Sequence, residues 1–269
     1  MKTQDAMPHP AAAADTAGKK RSAPSGIPGD LFPFADFARA SSELAAALEA
    51  GPFYGLLVGL SGTGKTFLLR HLASRLDRHR FHTLYIAQKN LSPSALGRLL
   101  AQSLHVSPRR THAETLRALA QVIRESPQQL VLLVDEAQRL GIDTIDELRL
   151  LAESELDRGP LFAAILAGWP DLRQQLEAPD LAALRRRISL KLELTGLTAD
   201  ECHPFLVRRL GEPLASRLAP DAVPLLFERG RGIPGLIERY ADVVLRHTKD
   251  GAKVSREAAA EAIETWEEL

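Results

Sequence analysis

The stretch Phe53 to Thr66, FYGLLVGLSGTGKT, constrains this chain more than any other. Gly59, four further residues, then Gly64, Lys65 and Thr66 complete the phosphate-loop pattern G-x-x-x-x-G-K-S/T. The apolar run Tyr54 to Val58 predicts a buried strand before it, and apolar residues at helical spacing from Phe67 to Leu76 predict a helix after it. That strand, loop and helix context is the one in which the pattern binds a triphosphate. Glycines at 59, 62 and 64 let the backbone turn tightly and aim successive N–H groups into an anion nest at the positive end of the helix. Lys65 supplies a point charge for the β and γ phosphates, and the Thr66 hydroxyl is placed to ligate a bridging magnesium ion.

Further along, Leu130 to Glu136 reads LVLLVDE, an apolar strand whose carboxyl tip carries two carboxylates. Beside a phosphate loop, Asp135 is suited to hold magnesium through water and Glu136 to accept a proton from the attacking water. Thr83 to Ala87, Leu161 to Ala167 and Ile188 to Leu194 predict three more strands, the last alternating like an edge strand. Helices are expected at Pro93 to Leu104, Thr111 to Glu125 and Asp143 to Glu155, with another closing at Leu184 to Arg187. Five strands interleaved with helices predict a parallel α/β sheet.

From Gly196 the pattern becomes helical throughout, over Thr198 to Leu210, Pro220 to Arg229, Ile233 to His247 and Ser255 to Glu268. Asp221 and Ser255 suit helix starts; Gly211 and Gly230 suit helix stops. The expected organisation is a tail over 1–30, an α/β core over 31–195 and a small helical lid over 196–269. The tail is rich in Ala, Pro, Gly and Ser, too poor in large apolar side chains to fold, and its Lys19, Lys20 and Arg21 suit either a solvated tail or a polyanion contact. Leu31, Phe32, Phe34 and Phe37 then form an aromatic patch that could pack beside a base or in the core, before Ser41 and Ser42, read as the cap of a helix running to Ala50.

Composition removes several classes. The single cysteine, Cys202, excludes an intramolecular disulfide framework. No run approaches the roughly 18 apolar residues of a membrane span, and the amino terminus lacks a signal-like apolar segment, so a cytoplasmic protein with no membrane partner is expected. His71, His79, His82, His105 and His112 show no ligand spacing with Cys or carboxylates, so no metal besides magnesium is expected. With 34 basic and 34 acidic residues the net charge is zero, and a polyanion must be met by a local patch.

These features in order resemble the AAA+ ATPases, the P-loop NTPases with a five-stranded parallel core and a helical lid. DEAQ at Asp135 to Gln138, LAGWPDL at Leu166 to Leu172, LRRRI at Leu184 to Ile188 and GRGIPGLIERYAD at Gly230 to Asp242 are similar to the ExeA/GspA-like branch. That branch includes stand-alone DNA-transposition helpers of the TnsC, TniB and phage Mu B type. The resemblance spans about residues 31 to 266. It implies ATP and magnesium as cofactors, with Gly59, Ser61, Gly62, Thr63, Gly64, Lys65, Thr66, Phe67 and Asp135 forming the nucleotide site, Thr66 and Asp135 holding the metal, and Glu136 and Lys65 catalytic. It also implies that Arg187 enters a neighbouring subunit's site as an arginine finger, with Arg185 and Arg186 as rivals, and hence a homo-oligomer, ring or helical filament.

The chain departs from the branch twice. Gly235 stands where an arginine usually contacts the γ phosphate, with Arg231 and Arg239 available to compensate, and Gly168 and Trp169 stand where a polar side chain usually does. Both departures weaken the expectation of efficient hydrolysis more than that of binding.

Between Ser74 and Thr111, Arg75, Arg78, Arg80, Lys89, Arg98, Arg109 and Arg110 face only Asp77 among acids, an excess able to neutralise phosphates. In helpers of this resemblance, double-stranded DNA is gripped by elements after the second strand, which here carry Lys89, Arg98, Arg109 and Arg110. A solvated basic face is the competing account. No helix-turn-helix or zinc-finger signature is present, so contact without sequence readout is expected. The function implied is an ATP-dependent oligomer on DNA that recruits or activates a transposase; the alternative is an ExeA-like secretion-associated or protein-remodelling ATPase. A small-molecule kinase is disfavoured because the helical part follows the fifth strand, and a GTPase because Thr248, Lys249 and Asp250 do not extend into a base-reading motif.

Overall fold

The computed structural model describes residues 32–88, 90–152, 160–249 and 251–268. The expected tail, the Lys19 to Arg21 cluster, Lys89 and the last residues of the helix expected to reach Glu155 lie outside the described residues.

The α/β part runs α1 (Ala35–Ala50), β1 (Tyr54–Gly59), α2 (Lys65–Arg75), β2 (Phe81–Ile86), α3 (Pro93–Ser103), α4 (His112–Glu125), β3 (Gln129–Val134), α5 (Ile142–Ala152), β4 (Ala163–Gly168), α6 (Asp171–Gln175), α7 (Ala182–Arg187) and β5 (Ile188–Leu194). The helical part follows as α8 (Ala199–Leu210), α9 (Glu212–Ala215), α10 (Ala222–Gly230), α11 (Pro234–His247) and α12 (Arg256–Glu267). The five strands form one sheet in the order β2-β3-β4-β1-β5, every pair parallel. All loops that leave the strands' carboxyl ends therefore converge on one edge.

Alternation along the central strands divides their apolar side chains between two cores. Val131 and Leu133, Leu57, and Ala163, Ile165 and Ala167 face a cluster that includes α1, α2 and the helical part. Leu130, Leu132 and Val134, Leu56 and Val58, and Ala164 and Leu166 face a second cluster with α3, α4, α5 and α7. Central strands buried on both sides must be apolar throughout, which is why they read as unbroken runs. Phe34 and Phe37 join the first cluster, Phe37 lying 5.7 Å from the Phe67 ring and 5.6 Å from that of His71, so the aromatic patch packs in the core.

One expected boundary is corrected, and one helix stop falls where expected with its left-handed cap a residue later. Helix α1 begins at Ala35, leaving Ser41 and Ser42 inside it, and Phe34 at its cap contributes no side-chain bond. The missing acceptor comes from Glu201 of α8, whose Oε1 takes the Ala35 N–H at 2.6 Å, a cap supplied from far along the chain. Helix α10 does not stop on a left-handed Gly230; Arg231 takes that conformation, at φ 50°. Gly230 is instead a site of close packing, since a Cβ there would lie 2.5 Å from Ile237 Cγ1. Gly211 does end α8, at φ 81°.

Candidate nucleotide site

The phosphate loop leaves β1 at the centre of the converging edge. Gly62 and Gly64 take φ values of 86° and 101°, which a side chain would strain. Behind the loop, a Cβ on Gly59 would meet Leu194 O at 2.5 Å and Thr63 Oγ1 at 2.7 Å, so only glycine lets the loop pass the end of β5. The Thr63 hydroxyl donates to Leu60 O at 2.9 Å and fastens the turn. Lys65, 5% exposed, folds its Nζ onto Gly59 O and Leu60 O at 2.8 and 2.9 Å. Burial pulls its pKa down, and the carboxylates of Glu136 and Asp135 oppose that shift.

Asp135 and Glu136 leave β3 in a turn, one residue beyond the strand's end at Val134. The Thr66 hydroxyl donates to Asp135 Oδ2 at 2.7 Å, the Tyr85 hydroxyl donates to the same oxygen, and Glu136 N donates to Asp135 Oδ1 at 3.0 Å. Burial, then the bond to Asp135, pushes the Tyr85 hydroxyl well above its ordinary pKa, so it stays a donor. Glu136 has φ 52°, a left-handed conformation that costs a non-glycine residue about 1 kcal/mol or more and is concentrated at functional sites. Its Oε2 receives the Gln138 amide at 3.1 Å and pairs with Arg139 Nε at 3.1 Å.

Ser61, Gly62, Gly64, Lys65, Thr66, Phe67 and Glu136 line one cavity of about 280 Å³, together with Arg70. The fit to a magnesium–triphosphate is chemical as well as spatial. Space is open where a Gly64 Cβ would stand, the loop amides border the cavity, and the hydroxyl and carboxylate oxygens of Thr66 and Asp135 already converge, a donor set for a hard cation.

The lid reaches this loop directly. Gly235 N, in the first turn of α11, donates to Gly62 O at 3.0 Å, and a Cβ on Gly235 would approach Gly62 Cα to 3.1 Å. A glycine at this position therefore has a packing reason. Arg239 lies over the Trp266 ring at 5.7 Å and is turned toward α12, so it does not compensate. Arg231 instead borders a second cavity, of about 570 Å³, together with Leu60 of the loop and Ile233 and Leu236 of the lid.

The remaining expected residues lie elsewhere. Ile188 pairs with Tyr54 at the start of β1, so Arg187 sits at the amino end of the sheet, about 17 Å along the strand from the phosphate loop of its own chain. Arg185 is engaged by Glu177 and by Leu176 O, Arg186 Nε donates to Ala182 O at 3.2 Å, and both Arg186 and Arg187 are exposed. Arg98 is exposed on α3, and Arg109 and Arg110 are exposed just before α4. The two segments meet where Gly97 backs onto the His112 ring.

Sequence reasoning missed Tyr85, Arg70 and Gln138. Tyr85 is one residue of the TLYIA strand, Arg70 is one arginine among many, and Gln138 is the last letter of DEAQ. None stands in a spacing pattern that could have flagged it.

Strand order, phosphate loop after β1, acidic turn after β3 and a helical lid against the loop define the AAA+ form of the P-loop fold. Residues 51–176 match the AAA domain family. The general secretion pathway protein A of Aeromonas hydrophila is 29% identical over 218 residues, covering 77% of this chain and 39% of that protein. The chain thus spans well under half of that relative's length. Among solved structures, the Aeropyrum pernix ORC1 protein in complex with DNA superposes over 88% of this chain and 66% of that one, with a TM-score of 0.58 and 21% identity. The Aeropyrum pernix ORC2 protein in its ADPNP-ADP complexes covers 90% and 70%, with a TM-score of 0.62 and 15% identity. At these identities the two structures share the fold. Among the described residues, no helix is long and apolar enough to cross a membrane.

Proposed function

We propose that this chain is an ATPase whose hydrolytic site is completed between copies of itself, and that the assembly forms on double-stranded DNA to recruit or activate a transposase. The observation that carries the first part is the position of Arg187, exposed at the opposite end of the sheet from its own phosphate loop. That distance keeps it from its own chain's phosphate loop and supports a role in another subunit's site. The loop amides and Lys65 would hold the phosphates, and Thr66 and Asp135 would hold magnesium, which when bound offsets phosphate charge. Glu136 would accept a proton from water at its carboxylate, and the neighbour's Arg187 would offset charge developing on the transferred phosphoryl group. The core over 31–195 would carry this chemistry, and the lid over 196–269 would follow the loop through the Gly235 to Gly62 bond.

DNA as the surface of assembly is supported by Arg98, Arg109 and Arg110, exposed around the junction of α3 and α4, with Lys89 close in sequence. A transposase as the partner rests on the likeness of the DEAQ, LAGWPDL and LRRRI stretches to the ExeA/GspA-like branch, which includes transposition helpers. A secretion-associated role is the second reading, favoured by the relative named general secretion pathway protein A.

The test is double-stranded DNA binding without nucleotide and with ADP, ATP or a non-hydrolysable analogue, with the same samples imaged by negative-stain electron microscopy. Ordered oligomers on DNA only with triphosphate support the proposal, whereas ATP binding without any DNA binding favours the secretion reading. Replacing both Arg109 and Arg110 by alanine should weaken binding and lower the slope of log affinity against log salt by up to about 2.

A further inference from the structure

We infer that Gln138 positions the Glu136 carboxylate by tying it to the backbone at the tip of β4; this rests on the reading of Glu136 as the proton acceptor. In place of the polar side chain that the tip of β4 lacks, the contact is made by a main-chain N–H and a glutamine reaching up from the acidic turn. Trp169 N donates to Gln138 Oε1 at 3.2 Å, and Gln138 Nε2 donates to Glu136 Oε2 at 3.1 Å. The orientation of the amide is fixed by its partners: a main-chain N–H can only donate, so the amide oxygen must face β4, and the NH₂ group is left for the carboxylate.

The consequence for Glu136 is asymmetric. Gln138 Nε2 and Arg139 Nε both address Oε2. Both contacts fall on one oxygen, so Oε1 is the oxygen that would accept the proton from water. The backbone makes the same demand, since Glu136 is in the left-handed region and such a conformation persists only where its surroundings over-determine it.

Gly168 belongs to the same device. A Cβ there would lie 2.4 Å from Gln138 Oε1, 3.0 Å from Leu172 Cδ2 and 3.4 Å from Gln138 N. Any side chain at the end of β4 would push the glutamine out of its place between Trp169 and Glu136. Gly168 and Gln138 are therefore a matched pair, and the absence of a polar side chain at this tip is the condition for the link rather than a gap in the site.

The test uses the full chain carrying Gln138→Ala, Gly168→Ala, both together, or Glu136→Gln. The measurements are ATP turnover, affinity for a fluorescent ATP analogue, thermal midpoint and, in the nucleotide-free protein, hydrogen exchange at the Trp169 amide. Each of the first two changes should lower kcat at least tenfold while KM and analogue affinity stay within twofold, and should speed Trp169 amide exchange at least tenfold. In the double variant Gly168→Ala should add no further loss of kcat, because the side chain it displaces is already gone, while its contact with Leu172 lowers only the thermal midpoint. Gln138→Glu should act as strongly as Gln138→Ala, since it brings a second carboxylate where a donor is needed.

Unchanged kcat and unchanged Trp169 exchange in Gln138→Ala would overturn the inference, as would losses of kcat that add in the double variant. A loss of affinity or thermal midpoint in proportion to kcat would show Gln138 to be merely structural and would also overturn it. Loss of turnover in Glu136→Gln beside normal Gln138→Ala would sink this inference alone. Normal turnover in Glu136→Gln would remove Glu136 as the proton acceptor, and the positioning role with it.

Discussion

The two ends of the sheet are built on different terms. At the carboxyl end, Gly62, Gly64 and Glu136 take left-handed conformations, Gly59, Gly168 and Gly235 admit no Cβ without a close approach, and Lys65 and Asp135 are buried with their charges. At the amino end, where Ile188 meets Tyr54, these two strands enter the sheet through buried residues, and the exposed Arg186 and Arg187 stand just before β5. Strain and buried charge are unfavourable unless they serve something, and around the phosphate loop both occur together. The carboxyl end has Lys65, Arg70 and Arg139 at or beside the cavity, and the amino end has Arg187. Under the proposed function the two ends would be halves of one site, an arrangement suited to head-to-tail stacking of copies.

The change expected to act most strongly is Arg187→Ala. It should lower turnover by about 10³ or more while ATP affinity is kept, a separation visible in steady-state kinetics alongside analogue binding. Nearly normal turnover would break the contrast between the two ends.

Much of this contrast was legible in the sequence, for identifiable reasons. The phosphate loop and the acidic turn combine local spacing with a strand before them, so their placement needed no knowledge of the tertiary structure. Strand β5 runs over the residues expected of it, Ile188 to Leu194, because one face is buried and the other is not. Thr111 and Thr198 were legible as helix starts, and each closes a capping box. What stayed hidden depends on partners distant in sequence. The start of α1 is capped by Glu201, the glycine at 235 answers to Gly62, and the glycine at 168 answers to Gln138. From sequence, the last two looked like missing sensor residues; in the fold they are close approaches.

Gly235→Arg, which restores the residue usual at that position, sharpens the comparison at intermediate size. The side chain must enter where a Cβ already stands 3.1 Å from Gly62 Cα, so it should destabilise the protein by about 1–3 kcal/mol, read as a lower urea midpoint, and loosen the lid from the loop. Unchanged stability would mean that the contact yields easily.

The smallest expected effect lies away from both ends. His71 is buried against Phe37 with no hydrogen-bond partner for Nδ1, and burial followed by the charge of Arg75 lowers its pKa from 6.5. A depressed folded-state pKa gives stability that is present above the unfolded value and lost as pH falls through the folded one. The fall in urea midpoint from pH 7.5 to pH 5.5 should therefore be smaller in His71→Phe than in the parent. It should not vanish, because burial and His105 lower the pKa of His82 in the same direction.

The most direct measurement mixes two inactive variants. Glu136→Gln keeps Arg187 and lacks the proton acceptor; Arg187→Ala keeps an intact site and lacks the arginine. Mixed in equal amounts with ATP and double-stranded DNA, they should recover a substantial fraction of the parent's turnover, because the first supplies its arginine to sites of the second. Turnover that stays at the level of the separate variants would contradict a site shared between subunits.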